Sequence, residues 1–470
     1  MRITIGELAG VIGGKVICGK DTVSFSNITT SSNRIKGEDL FIPVRGERTD
    51  GHKYIAQALL KGAACSLTDR EEILEDLSGV PGEYGIVLCE NTVRALQEFG
   101  AWYRKNRVQI PYIGITGSVG KTTTREITAK ALSAGFSVYT TKGNANSQVG
   151  VPITVFETDP EAGIGVLELG ISDFGEMEII SDLASCDTAC ITNIGVSHIA
   201  QFKTQENILR EKLLIIRNLP DGGTLFVNGD DPILRNLTEE KIHSFGLCTG
   251  KRVRVRYFGT GDNAEVRAEN IRKENGCVSF DACFMESGQR IPVRLSVPGD
   301  HMVLNALCAL SVCELYGVDL QEAARKLAEY ENFEGRGNRI TVNGIDFIND
   351  SYNASPISVK AGLSVLCELP AKGRRAAVLA DMKELGENEI LWHRETGAYI
   401  NEKITGLDLL FTYGELAGVL GEEVEKNGRV KVTRFTDFDC LKKALFEELS
   451  EGDLCFLKGS NSMGLWRILS

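Results

Sequence analysis

Short continuous apolar runs alternate with amphipathic stretches along most of the chain. YIGIT (112–116), IGVLELG (164–170), TACITNIG (188–195) and TLFVN (224–228) each read as a buried strand. Helical segments separate them, the pattern of a parallel sheet covered on both faces. The rhythm restarts near residue 318 with IDFIND (345–350), AAVLAD (376–381), LLFTYG (409–414) and DLCFLKG (453–459). Residues 251–297 break it: RVRVRYFG and IPVRLSV alternate polar with apolar and predict antiparallel strands appended to the sheet. HMVLNALCALSVCELYG (301–317) predicts a helix with a broad apolar face that ends at Gly317. Before residue 90, strands DLFIPV (39–44) and IVLCE (86–90) flank a helical HKYIAQALLKGAA (52–64). NTVRALQEFGAWYRKN (91–106) then predicts a helix capped by Asn91 or Thr92. The expected fold is α/β in three domains. A small mixed domain spans 1–90, a central parallel-sheet domain 91–317 and a Rossmann-like α/β domain 318–470.

Composition narrows the function. The 470 residues carry a net charge of −12, which argues against a general nucleic-acid binder but not against a local phosphate site. The 13 cysteines form no C-x-x-C and many lie in apolar stretches, the usage of buried reduced thiols in a cytoplasmic protein. The amino terminus lacks the pattern of a signal peptide, and no apolar run approaches the roughly 18 residues of a membrane span.

The sharpest local signal is YIGITGSVGKTTTREITAKAL (112–132), a strand, a glycine-rich loop and a helix. Gly117, Ser118, Val119 and Gly120 would turn backbone N–H groups onto phosphate oxygens, and the helix start at Lys121, Thr122 and Thr123 adds free donors. Lys121 would neutralise phosphate charge and Thr122 would offer its hydroxyl to Mg²⁺. Ile115 stands where a strict phosphate-loop pattern has its first glycine, so the loop is a variant. Such a loop does not name a reaction.

Glu168 ends an apolar strand, at the edge where α/β sheets bind ligands, and could hold Mg²⁺. His198 also follows a strand and is a candidate second ligand. Lys212 lies on a helix with Leu209, Leu213 and Ile216 on its apolar side. The plain reading is an exposed lysine; the alternative is a neutral amine that takes up CO₂ as a carbamate.

Together these motifs resemble the Mur ligase family of ATP-dependent amide ligases over essentially the whole chain. The pattern T-G-x-x-G-K-T-T falls on Thr116 to Thr123, the family glutamate on Glu168, N-x-x-x-x-H on Asn193 to His198, and the modified lysine on Lys212. HMVLNALCA supplies Asn305 on the adenine side, GRGNR supplies Arg336, and NDSYNASP supplies Asp350 and Tyr352 as further ATP contacts. GNANSQVGVP (143–152), DMKELGENE (381–389) and KGSNSMGL (458–465) resemble the member that acts on UDP-N-acetylmuramoyl-tripeptide, D-alanyl-D-alanine and ATP. The D-N-P-R signature of the diaminopimelate-adding member is absent.

The resemblance implies an ATP cofactor, two Mg²⁺ ions and an acyl-phosphate intermediate in cytoplasmic peptidoglycan precursor synthesis. It implies a monomer with no nucleic-acid partner and no membrane span. Thr122, Glu168, His198 and carbamylated Lys212 would hold the metals, with Lys121, Lys212 and His198 catalytic. Ser32, Asn33, Arg34, Gly46, Asp50 and His52 would hold the uridine end, and Asn144, Asn146, Lys458 and Ser460 other parts of the substrates. Ser32-Asn33-Arg34 departs from the family's D-S-R or D-T-R, and Asn461 replaces an arginine of some relatives. Two alternatives remain open: a family ligase for another step or for folate, and a nucleotide-binding switch, although no guanine-reading N-K-x-D occurs.

Overall fold

The computed structural model describes residues 2–46, 49–247 and 250–470. Glu47 and Arg48, in the loop expected to serve the uridine end, and Cys248 lie outside the described residues.

The central sheet explains where the site falls. Its nine strands run in the order Arg290–Leu295, Cys277–Phe284, Val266–Glu274, Val253–Gly259, Gly223–Asn228, Thr188–Ile191, Tyr112–Thr116, Ile164–Glu168 and Val138–Thr140. Tyr112–Thr116 is buried at every position because helices cover both faces, as its unbroken apolar run requires. It pairs in parallel with both neighbours, with Ile115 opposite Glu168 and Thr116 opposite Ile191. The carboxyl ends of three strands therefore open on one edge, where the phosphate loop begins.

One expectation fails. Val253–Gly259 is parallel to both its neighbours rather than antiparallel. The chain reaches it through a crossover containing the helix Glu239–Ser244, and crossovers of this kind deliver parallel strands. Its alternating pattern comes from unequal burial of the two faces, not from strand direction. The next three strands do pair antiparallel with one another.

The helix Asp300–Leu315 is buried almost all round, wedged against the helix Lys121–Leu132 that follows the phosphate loop. Gly317 closes its end at φ 68°. The amino-terminal sheet has five strands, in the order Lys15–Cys18, Gly85–Leu88, Cys65–Thr68, Asp39–Phe41 and Asn27–Thr29. Helix Thr92–Arg107 starts at Asn91, whose side chain accepts from the amides of Val93 and Arg94. Phe99 and Tyr103 on this helix pack with Phe25 and Phe156, joining the first unit and the central sheet in one apolar core.

The carboxyl-terminal sheet has six strands, ordered Asn338–Val342, Ile345–Asn349, Leu454–Lys458, Arg375–Ala380, Leu409–Tyr413 and Lys431–Phe435. All pairings but the first are parallel. Between this unit and the central one lies a cleft of about 1380 Å³. All described cysteines are unpaired and most are buried, as expected of the many in apolar stretches, but Cys440 is exposed and Cys18, Cys277 and Cys367 partly so. Among the described residues no helix is long and apolar enough to cross a membrane.

Candidate active site

The phosphate loop is held open by side chains from the next strand. Asn193 accepts from the Val119 amide at 2.9 Å and donates to the Val119 carbonyl at 2.8 Å. The Thr192 hydroxyl donates to the same carbonyl at 2.6 Å. Gly117 sits at φ 151°, and a β-carbon there would lie 1.9 Å from Thr192 Oγ1, so only glycine fits. Gly120, at φ 85°, caps the helix without a side chain. The first-turn amides of Lys121, Thr122 and Thr123 thus face the cleft with no intrahelical acceptor. Lys121 Nζ rests on the Gly117 carbonyl at 2.8 Å. Burial pushes its pKa down, opposed by the nearby Glu168 and reinforced by Arg336. This cradle of free amides and one ammonium fits the phosphates of a nucleotide.

Glu168 ends its strand almost fully buried. Arg125 donates to Glu168 Oε2 at 3.2 Å and Asn146 donates to Oε1 at 2.6 Å. Arg125 also donates to the Gly143 carbonyl at 3.1 Å, so one guanidinium fixes both the carboxylate and the loop that carries Asn144 and Asn146. Lys212 is 3% exposed, which overturns the plain reading of a solvent-facing lysine. Burial drives its pKa well below the ordinary lysine value, with the charge of Lys121 adding to the effect and Glu211 opposing it.

The carboxyl-terminal unit supplies the far wall. Arg336 stacks on the Tyr352 ring at 4.0 Å and donates to Thr122 Oγ1 at 3.3 Å, reaching across the cleft to the phosphate loop. Lys458 is buried, ion-paired to Asp350, and donates to the Asn353 carbonyl at 3.0 Å. Its charge thus holds Asp350 in place. The Ser460 hydroxyl accepts from the Lys383 amide at 2.8 Å and braces the 381–385 segment. Asn305 lines the cleft behind the loop and accepts the Thr124 hydroxyl at 3.0 Å. His198 meets Glu384 across the cleft at 2.8 Å, and its hydrogen bond holds the Glu384 carboxyl below the usual value.

Residues 117–123, Asn144, Asn146, Glu168, His198, Asn305, Arg336, Asp350, Tyr352, Lys458 and Ser460 are thus brought to one cleft or its immediate wall. The amino-terminal candidates are not. Ser32 donates to Gln57 at 3.1 Å, Asn33 accepts from Lys61 at 2.9 Å, and Arg34 is exposed. Asp50 caps the turn Gly51–Tyr54 and pairs with His52 and Arg70. These bonds, the His52 amide first, hold its carboxyl far below the ordinary range. Gly46 pairs its amide with the Thr49 carbonyl at 2.9 Å. Sequence reasoning missed Arg125 and Glu384 as site residues and quoted Asn193 only as the start of a motif. The basic residue four after Lys121, beside the loop, was the available signal for Arg125.

Among the described residues no three His, Cys, Asp or Glu side chains cluster as a metal cage. Mg²⁺ does not need one, since it commonly takes one or two protein oxygens and completes its shell with phosphates and water. The Thr122 hydroxyl and the Glu168 carboxylate, both beside Lys121, fit that use.

A phosphate loop on a central parallel strand, a buried carboxylate on the next one and a second α/β unit closing over both define an ATP-using ligase of the three-unit type. Three family profiles match the chain: Mur ligase family, catalytic domain at residues 24–110; Mur ligase middle domain at 115–313; and Mur ligase, glutamate ligase domain at 335–461. The chain belongs to the Mur ligase family. It is 34% identical to the UDP-N-acetylmuramoyl-tripeptide--D-alanyl-D-alanine ligase of Bacillus subtilis, over 100% of this chain and 98% of that one. The ligase of the same name from Synechocystis is 32% identical over 96% of this chain and 92% of its own. Among solved structures, MurF from Acinetobacter baumannii superposes with a TM-score of 0.85 at 27% identity, covering 100% and 98% of the two chains. MurF of Thermotoga maritima in complex with ADP gives 0.77 at 26% identity, covering 94% and 96%.

Proposed function

We propose that this chain joins D-alanyl-D-alanine to UDP-N-acetylmuramoyl-tripeptide, converting ATP to ADP and phosphate, in cytoplasmic peptidoglycan precursor synthesis. The observation that carries the reading is Arg336 reaching Thr122 from the opposite unit, above the phosphate loop with Lys121 and the nearby Glu168. A nucleotide phosphate group placed there is enclosed from both sides.

The tripeptide carboxylate attacks the γ-phosphorus and ADP departs, leaving an acyl phosphate. The dipeptide amine then attacks that carbonyl, and the tetrahedral intermediate expels phosphate. Each step sets anions against one another, so the site must concentrate positive charge. Lys121 and the first-turn amides hold the phosphates, and Arg336, steadied by Tyr352, covers them. Asn144 and Asn146 line the cleft and have the amide chemistry to contact the substrate or the γ-phosphate. When bound, Mg²⁺ supplies further positive charge; Thr122 and Glu168 would hold one ion, and His198 with a carbamylated Lys212 a second. The burial of the Lys212 amine, which lowers its pKa, favours that modification: its neutral nitrogen bonds to the carbon of CO₂ and releases one proton to solvent. Much of the rate would come from alignment of three reactants in one geometry.

In this reading residues 1–90 hold the uridine end, 91–317 bind phosphates and metal, and 318–470 close over them and place the dipeptide. The resemblance implies that the enzyme works as a monomer. Substitution tests the reading. Lys121→Ala and Glu168→Gln should each lower ATP-dependent phosphate release at least about 100-fold while far-ultraviolet dichroism stays native. Undiminished release in both would leave only a binding role.

A further inference from the structure

His198 and Glu384 join the two units that flank the cleft. His198 Nδ1 stands 2.8 Å from Glu384 Oε2. His198 follows the strand Thr188–Ile191 of the central sheet, and Glu384 follows the strand Arg375–Ala380 of the carboxyl-terminal sheet. Both are non-glycine residues in left-handed backbone, at φ 59° and 64°. Two residues on, a β-carbon on Gly386 would lie 3.0 Å from the Ala200 Cα, so the two segments approach backbone to backbone.

Stability does not account for this arrangement. The Glu384 side chain is 62% exposed, and exposed ion pairs contribute little to folding. Facing left-handed backbones concentrate where function requires them. The Glu384 segment is also braced from behind. The Lys383 amide donates to Ser460, the Lys383 ammonium pairs with Asp381 at 2.9 Å, and the Met382 amide donates to His393 at 3.0 Å. In front, the His198 segment is tied to the phosphate loop. The Gly195 amide donates to Ser118 Oγ at 2.9 Å, and the Ser197 hydroxyl donates to the Ser118 carbonyl at 3.3 Å.

We infer that Glu384 is a positioning residue that couples closure of the carboxyl-terminal unit to the catalytic cleft. Its carboxylate accepts the Nδ1 proton of His198, which fixes the tautomer and ring orientation and leaves Nε2 as the free nitrogen. The ring is then set only when the two units are together, and the Ser118 bonds pass that state to the phosphate loop. The consequence for turnover rests on the ligase reading; the latch itself rests on geometry alone.

The test combines small-angle scattering of the ligand-free enzyme with steady-state kinetics. Glu384→Gln should expand the scattering profile relative to wild type. It should also lower kcat about tenfold while the KM for ATP stays within about twofold. Glu384→Asp should recover part of both. Glu384→Gly removes the carboxylate and relieves the left-handed backbone together, so it should open the molecule without loss of melting temperature. Adding His198→Asn to Glu384→Gln should expand the profile no further. A wild-type profile and wild-type kcat in Glu384→Gln and Glu384→Gly, or additive expansion in the double variant, would overturn the inference. Variants that open a protein whose wild type makes no amide bond would sink the ligase reading and leave the latch standing.

Discussion

Single residues in this chain carry chemistry according to how they are buried. Lys212 is the clearest case. Burying its amine and forcing it towards the neutral form costs folding free energy, a cost that a functional use of the group would explain. Lys212→Met should therefore raise the melting temperature, by the equivalent of ~1–2 kcal/mol on the scale of buried polar groups. Turnover should fall at least about 100-fold. A lowered melting temperature with turnover kept would remove Lys212 from the mechanism. His393 makes a different point. Its Nε2 accepts from the Met382 amide, so the Nδ1 proton goes to the Glu389 carbonyl at 2.7 Å and the ring is neutral. Burial pushes its pKa below the usual 6.5. The unfolded chain thus binds this proton at higher pH than the folded one. The stabilisation is fully present above about 6.5 and is lost as pH falls through the lower folded value. Chemical denaturation between pH 7.5 and 5 should show that loss in the wild type and a shallower one in His393→Gln. The sequence displayed Lys121 and Glu168 because each ends or follows a strand in a local pattern. It hid the burial of Lys212 and the partner of Glu168, since Arg125 lies 43 residues away in the chain.

Among elements, the phosphate loop shows what local pattern can and cannot reveal. Strand, glycines and helix are contiguous, so the unit is legible as a string. What keeps the loop open is not. Asn193, 74 residues from Val119, makes both bonds to that residue. Asn193→Ala would leave the half-buried Val119 amide without this acceptor, a loss of about 1 kcal/mol. We expect the KM for ATP to rise about tenfold, corresponding to roughly 1.4 kcal/mol, with a smaller change in kcat. Isothermal titration with an ATP analogue checks this, and unchanged affinity would show that the loop holds its shape alone. The strand Val253–Gly259 teaches the same limit. Alternation reports which faces are buried, whereas strand direction is set by the crossover that precedes it.

The whole molecule resolves a conflict in its charge. A chain of net charge −12 is expected to hold a nucleotide and a UDP-linked peptide that are both anionic, and a dipeptide that brings a carboxylate. The structure gathers Lys121 and Arg336 at one cleft, with Arg125 beside them on Glu168, so local charge rather than net charge governs binding there. The α/β character and the restart of the rhythm near residue 318 were legible in the sequence. The shared aromatic core between the first unit and the central sheet was not, because Phe25, Phe99 and Phe156 are distant in the chain. The Lys458–Asp350 pair, 108 residues apart, was hidden for the same reason. The central claim is the identity of the amine that this cleft joins to the tripeptide. Phosphate release and product mass should be followed with ATP, Mg²⁺, UDP-N-acetylmuramoyl-tripeptide and one amine at a time. The account predicts release and a pentapeptide product with D-alanyl-D-alanine; equal release and product with glutamate or lysine in its place would contradict it.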